Sequence, residues 1–225
     1  MNYTDHIKDC ISKTKETIKT NQIPDDNIVS LCTRTNPHPM SSPNSQYFLN
    51  LLCKLPKEKK TKYFEVGVAW GASYFAAAHD NKGVFYGIDN WSKYGLPWGA
   101  NLENIDTQIK RYSGKNRQFI FFEQDCWKLD LKEIEDKINI FFYDGDHSFE
   151  SHKKILTHFD TILDNEFILI VDDYYSDDIG KDIREATKFA IEDSKFESQS
   201  EFFIEKDKKY WHNGFYLTHL RRENV

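Results

Sequence analysis

Tyr63-Phe-Glu-Val-Gly-Val-Ala-Trp-Gly-Ala-Ser73 is the stretch on which the fold turns. An apolar run ends at Gly67, Gly71 follows four positions later, and residues 73–78 read as the start of a helix. Strand, tight glycine turn and helix in that order open a parallel α/β unit. Glycine at such a turn lets the chain reverse sharply and lets a ligand approach the backbone. The loop is not a dinucleotide fingerprint, because Ala69 stands where the second glycine belongs and bulky Trp70 follows it. With no lysine after Gly71 it is not a phosphate loop either. A cofactor without a pyrophosphate suits it better.

The same alternation continues on the carboxyl-terminal side. Apolar strands are expected at 84–89, 119–125, 138–144 and 167–173, with helices at 102–112, 152–163 and 179–191. Segments 196–205 and 214–220 read as a closing antiparallel pair. Continuous apolar strands alternating with helices imply a parallel sheet covered on both faces. Residues 1–60 differ in character. A mostly polar helix is expected at 4–20, and prolines 37, 39 and 43 interrupt regular structure. A short helix follows, with Ser45 as its cap and Phe48, Leu49, Leu51, Leu52 and Leu55 as its apolar face. A lysine-rich connection, 54–62, then leads to the sheet. The expected organisation is an amino-terminal arm, 1–60, and an α/β domain, 61–225.

Composition narrows the class. At 225 residues one large domain is the first expectation. Lys+Arg is 30 against Asp+Glu 36, a net charge of −6, which argues against a nucleic-acid coat. Aromatics make up 15% of the chain, too many for a disordered protein. Cys10, Cys32, Cys53 and Cys126 are scattered and form no C-x-x-C pair. Free thiols and a polar amino terminus suit a soluble cytoplasmic protein. The longest apolar runs, 140–143 and 167–171, fall far short of the roughly 20 residues that span a bilayer. No membrane or nucleic-acid partner is expected, and a homo-oligomer is left open.

The polar residues gather at the carboxyl ends of the strands: Glu65 and Gly67, Asp89, Asp125, Asp144, and Asp172 with Asp173. Open α/β sheets bind their ligands there. Asp89, 22 residues after Gly67, can accept both hydroxyls of a ribose. Asp125 can reach an adenine amino group or cap the following turn.

In these motifs the chain resembles class I S-adenosylmethionine-dependent methyltransferases. Glu65-x-Gly67-x-x-x-Gly71-x-Ser73 is similar to their first motif, Gly87-Ile-Asp89 to their second, and Gln124-Asp125 to their adenine-side position. The resemblance spans residues 61 to about 175. It implies a Rossmann-like α/β fold: a seven-stranded, mostly parallel sheet of order 3-2-1-4-5-7-6, its last strand antiparallel, with helices on both faces. It also implies S-adenosylmethionine as cofactor, held by Glu65, Gly67, Gly71, Ser73, Asp89, Asn90, Trp91, Asp125, Cys126 and Asp144.

Asp144-Gly-Asp-His-Ser-Phe-Glu and Val171-Asp-Asp-Tyr-Tyr end neighbouring strands in that topology. Strands about 4.8 Å apart would crowd Asp144, Asp146, Asp172 and Asp173 on one rim. Like carboxylates repel unless some protonate or a cation joins them. A hard divalent ion answers this, Mg2+ first, with Mn2+ or Ca2+ as alternatives. The first stretch resembles the metal-dependent O-methyltransferases that act on sugars of macrolide and aminocoumarin antibiotics. That resemblance implies Asp144, Asp172 and Asp173 as metal ligands. Related catechol-type enzymes carry Asp-Asn at the last pair. Asp146 is the preferred general base, with His147 as the other candidate. The expected acceptor is a small-molecule or glycan hydroxyl, a sugar hydroxyl of a glycan or glycosylated metabolite first, with a phenolic diol as alternative. An NAD-dependent oxidoreductase is the rival class. Tyr94 and Trp98 on one side, and His38, Met40 and Ser41 on the other, are candidates to close over the site. His212 and Asn213 either line the rim or simply turn the chain.

Overall fold

A computed structural model describes residues 2–28, 41–56, 59–92, 102–207 and 209–223. Seven strands form one sheet: β1 (Thr61–Val66), β2 (Gly83–Asp89), β3 (Arg117–Glu123), β4 (Ile138–Tyr143), β5 (Leu163–Val171), β6 (Phe196–Ile204) and β7 (Phe215–Arg222). Their order is β3-β2-β1-β4-β5-β7-β6. The first five pair in parallel, and β7 runs antiparallel to both β5 and β6. This is the expected Rossmann-like sheet. Each parallel step needs a crossover, so every carboxyl end from β1 to β5 emerges at the same edge.

Side chains alternate across a strand, and the core divides accordingly. Tyr63, Phe85, Ile140, Phe142, Ile168 and Leu217 bury on one face of the sheet. Their neighbours Phe64, Tyr86, Phe141, Tyr143, Leu169 and Tyr216 bury on the other. Phe64 and Phe141 stack across β1 and β4 with centroids 5.7 Å apart. Strands buried on both faces have no polar alternation, which is why they read as continuous apolar runs.

The first face is covered by α1 (Tyr3–Thr20), α2 (Pro43–Leu52), α3 (Ala72–Ala78) and α4 (Leu102–Tyr112). Tyr3, Ile7 and Cys10 of α1 and Phe48, Leu49 and Leu52 of α2 share one core cluster with the strands. The amino-terminal helices are therefore part of the domain's packing. The second face is covered by α5 (Phe149–Lys153), α6 (Ile155–Phe159) and α7 (Gly180–Glu192).

Three expected details change. The cap of α2 is Ser42, whose hydroxyl accepts from Ser45 N at 3.0 Å, because Pro43 is well suited to the first helical position. The helix expected at 152–163 is two short ones broken at Lys154, and it ends at Phe159 so that Leu163 can pair with Ile138. Its apolar residues Ile155, Leu156 and Phe159 still face the core. β5 also starts four residues early, running through polar Asp164-Asn165-Glu166, where Glu166 faces Arg221 of β7 and pairs with it at 2.7 Å.

Candidate active site

A cavity of about 400 Å³ opens at the carboxyl ends of the strands. Its walls come from the loop after β1, the ends of β2 to β5, Ser41 and Leu49 of the amino-terminal segment, and the turn between β6 and β7. Most of the expected residues meet there: Gly67, Ser73, Asp89, Asn90, Asp125 and Cys126 line one half. Asp144, Asp146, His147, Asp172 and Asp173 line the other. Glu65, Gly71 and Trp91 are not among the lining residues. Tyr94, Trp98, His38 and Met40 lie outside the described residues, and Ser41 lines the cavity.

Gly67 is required by close approach. Its φ is +89°, and a Cβ there would sit 1.9 Å from the backbone oxygen of Asp144. The loop after β1 is thereby pressed against the end of β4, which brings the two halves of the cavity together. Ala69 takes a left-handed conformation, φ 47°, unusual for a residue with a side chain. Its N–H donates to Asp89 Oδ2 at 2.7 Å, and Trp91 N donates to Oδ1 at 2.7 Å. Trp91 closes the loop by donating from its indole to Ala69 O, while its ring stacks on Phe121, 5.4 Å away. Asp89 thus ties two loops together, and its oxygens keep further lone pairs.

Glu65 is fully buried on β1. The hydroxyls of Tyr63 and Ser73 both donate to it. Burial outweighs these two bonds and pushes its pKa up to about 8. Asp125 both caps and lines. Its side chain accepts from Trp127 N at 3.1 Å at the head of a short turn. Trp127 itself is a cavity residue that the sequence reading passed over. Phe159 stacks beside its ring, 5.9 Å away, and the Lys154 ammonium lies 3.8 Å from the ring centroid. An aromatic two positions after Asp125, at the head of the turn that Asp125 caps, is the signal that would have found it.

In the acidic half, one donor atom each from Asp144, His147 and Asp173 falls within 4.8 Å of the others. His147 Nε2 lies 3.2 Å from Asp173 Oδ2 and 3.8 Å from Asp144 Oδ1. Asp172 adds no atom to this group. Its Oδ1 accepts the Asp173 N–H at 2.7 Å. Burial first, then the charges of Asp144 and Asp173, raise its pKa well above the carboxylate range. A cation among these carboxylates would offset the repulsion that raises Asp172, and carboxylate oxygens suit a hard divalent ion. Asp146 behaves differently. Its Oδ2 accepts from the hydroxyls of both Ser148 and Ser151, and these bonds overcome burial to hold its pKa below the usual value. Among the described residues a second group, Asp25, His79 and Asp80, has donor atoms as close together, away from the cavity lining.

Residues 64–174 match a family model described as a methyltransferase domain. The fold is that of a class I S-adenosylmethionine-dependent methyltransferase. The match takes in just under half of the chain, and with the fold it marks residues 64–174 as a methyltransferase domain. Among solved structures, the chain resembles PaMTH1 of Podospora anserina, bound to SAH, with TM-score 0.61 and 15% identity over 95% of both chains. It also resembles the O-methyltransferase TomG of Streptomyces achromogenes, involved in tomaymycin synthesis and bound to SAM. There the TM-score is 0.59 at 15% identity, over 89% of this chain and 91% of that one. A Bacillus cereus O-methyltransferase in complex with SAH gives TM-score 0.57 and 14% identity over 96% of this chain and 100% of that one. At such identities the likeness is one of fold. No curated protein matches the sequence. No helix among the described residues is long and apolar enough to cross a membrane.

Proposed function

We propose that the protein is an S-adenosylmethionine-dependent methyltransferase that depends on a divalent metal, Mg2+ or Mn2+, and methylates a sugar hydroxyl, free or within a glycan or glycosylated metabolite. The observation that carries the proposal is the convergence of Asp144, His147 and Asp173 in the cavity that the glycine loop also lines. Asp144 and Asp173 would hold the ion, with Asp172 beside them. An ion so held would lower the pKa of an acceptor hydroxyl. The consecutive Asp172-Asp173, in place of Asp-Asn, favours the sugar-type branch over a catechol-like diol. The two O-methyltransferases among the structural likenesses agree with oxygen as the accepting atom.

The roles of the protein's own groups follow from their partners. Asp89 and Asn90 would bind the ribose, Asp125 and Cys126 the adenine, and the Gly67–Ser73 loop the amino-acid end of the cofactor. Glu65 supports that loop through Ser73. His147 becomes the better base. Asp146 has its Oδ2 engaged by two hydroxyls and a lowered pKa, which weakens it as a proton acceptor and makes it a loop-shaping group. A bound cofactor would supply the electrophilic methyl and leave as the thioether, and His147 Nε2 would accept the proton of the acceptor hydroxyl. Ser41 and Leu49 line the cavity, which supports a covering role for segment 1–60 over the 61–225 domain.

Calorimetric titration with S-adenosylhomocysteine, and separately with NAD, tests the cofactor. Binding of NAD with no heat from the thioether would sink the reading in favour of an oxidoreductase. Transfer of labelled methyl to a panel of sugars and catechols tests the acceptor. Transfer should reach a sugar, stop with EDTA and return with Mg2+. Preference for catechols would overturn the sugar assignment. His147→Ala should lower kcat by about 10²–10⁴, and more than Asp146→Asn does.

A further inference from the structure

We infer that Asn213 is a positioning residue for the metal site, holding Asp173 so that one carboxylate oxygen faces Asp144 and His147. The inference rests on the metal reading above. Asn213 lies in the turn between β6 and β7, 40 residues beyond Asp173. Its side-chain nitrogen donates to Asp173 Oδ1. The other oxygen, Oδ2, is the one 3.2 Å from His147. An ionised carboxylate only accepts, so only the N–H end of the amide can face it. The two ends of Asp173 are thus assigned separate tasks.

The need for such a hold is physical. The terminal torsion of an aspartate is broad and roughly two-fold, so the backbone does not set which way its oxygens point. Asp173 has its backbone settled by other means, with φ 55° and its N–H on Asp172. The remaining freedom is the rotation of the carboxylate, and the Asn213 amide removes it.

The turn that carries Asn213 is itself anchored. Tyr175 N donates to Asn213 O at 2.9 Å, and Gly214 N donates to Trp211 O at 2.9 Å. The Trp211 ring meets Phe48 of α2 edge to face, 5.6 Å away. The Ser42 hydroxyl donates to Tyr210 O. The amino-terminal segment thus braces the turn, and the turn braces the carboxylate. A partner behind a first ligand orients it, and losing one weakens metal binding by about 10–100-fold.

The test is Mn2+ alone, titrated into wild type and Asn213→Ala and followed by the electron paramagnetic resonance of the free ion. Mn2+ affinity should fall about 10–100-fold. S-adenosylhomocysteine affinity measured in EDTA should hold, as should the metal-free melting temperature. A purely structural role would move the last two as well. Should the alanine variant melt early, Asn213→Ser replaces it, because its shorter side chain keeps the turn polar without reaching Asp173; the same loss is expected. Unchanged Mn2+ affinity in a folded variant overturns this inference alone. A wild type that binds no Mn2+ overturns the metal reading and this inference with it.

Discussion

Glu65→Gln offers a direct measure of how the buried glycine-loop carboxyl behaves. Glu65 has no exposed surface, and burial lifts its pKa to about 8 from an ordinary 4.5. Between those two values the folded protein keeps a proton that the unfolded chain has released. Stability therefore falls as pH rises across that window; the contribution is fully present below about 4.5 and gone above about 8. The slope can reach about 1.4 kcal/mol per pH unit. Over the whole window the ceiling is about 5 kcal/mol, and about 3 kcal/mol is the working expectation. Glutamine has the shape of the protonated acid. Its amide can donate to one hydroxyl and accept from the other, so Tyr63 and Ser73 stay engaged. Wild type and variant should be alike near pH 5. Near pH 9 the variant should be more stable by about 3 kcal/mol. Urea unfolding of both proteins at unit pH steps gives the difference free of every other titration. A difference flat with pH, or a variant weaker at high pH, would refute a neutral Glu65.

Four further outcomes are expected. Gly67→Ala places a Cβ 1.9 Å from a backbone oxygen at positive φ, so it should cost at least about 3 kcal/mol and abolish S-adenosylhomocysteine binding. Gly114→Ala meets nothing within 4 Å and should stay within about 0.5 kcal/mol, both read by urea unfolding. Trp127→Ala removes an aromatic wall of the cavity beside Asp125 and Cys126 and should weaken S-adenosylhomocysteine by up to roughly tenfold in calorimetry. His152 is buried against Tyr143 with neither ring nitrogen bonded, and burial lowers its pKa to about 3. Its neutral form is kept at no cost above about 6.5, and stability is lost as pH falls from there toward 3. His152→Leu should flatten that acid limb in thermal melts; an unchanged limb would place the loss elsewhere.

Much of the fold could be read before any coordinates. Strands buried on both faces announce themselves as runs such as Ile138-Asn-Ile-Phe-Phe-Tyr143, and the turn at Gly67 marks where the first one ends. Boundaries were less legible. β5 extends backward through Asp164-Asn165-Glu166 because Arg221 on β7 offers Glu166 a partner, and nothing in the local pattern shows β7 lying there. The helix before it breaks at Lys154 because the chain must return to pair Leu163 with Ile138. Both corrections come from partners distant along the chain.

The candidate site divides the same way. Sequence by itself determined which residues stand at the strand ends, because one sheet edge collects every β-to-α turn. That placed Gly67, Asp89, Asp125, Asp144 and Asp172-Asp173 together by topology alone. Only the tertiary structure decided how those side chains are engaged. It tied Asp146 to Ser148 and Ser151, brought His147 between Asp144 and Asp173, and set Asn213 behind Asp173. Position along a strand follows from a two-residue period, which is local. Protonation, rotamer and partner follow from distances across loops, which exist only once the chain has closed on itself.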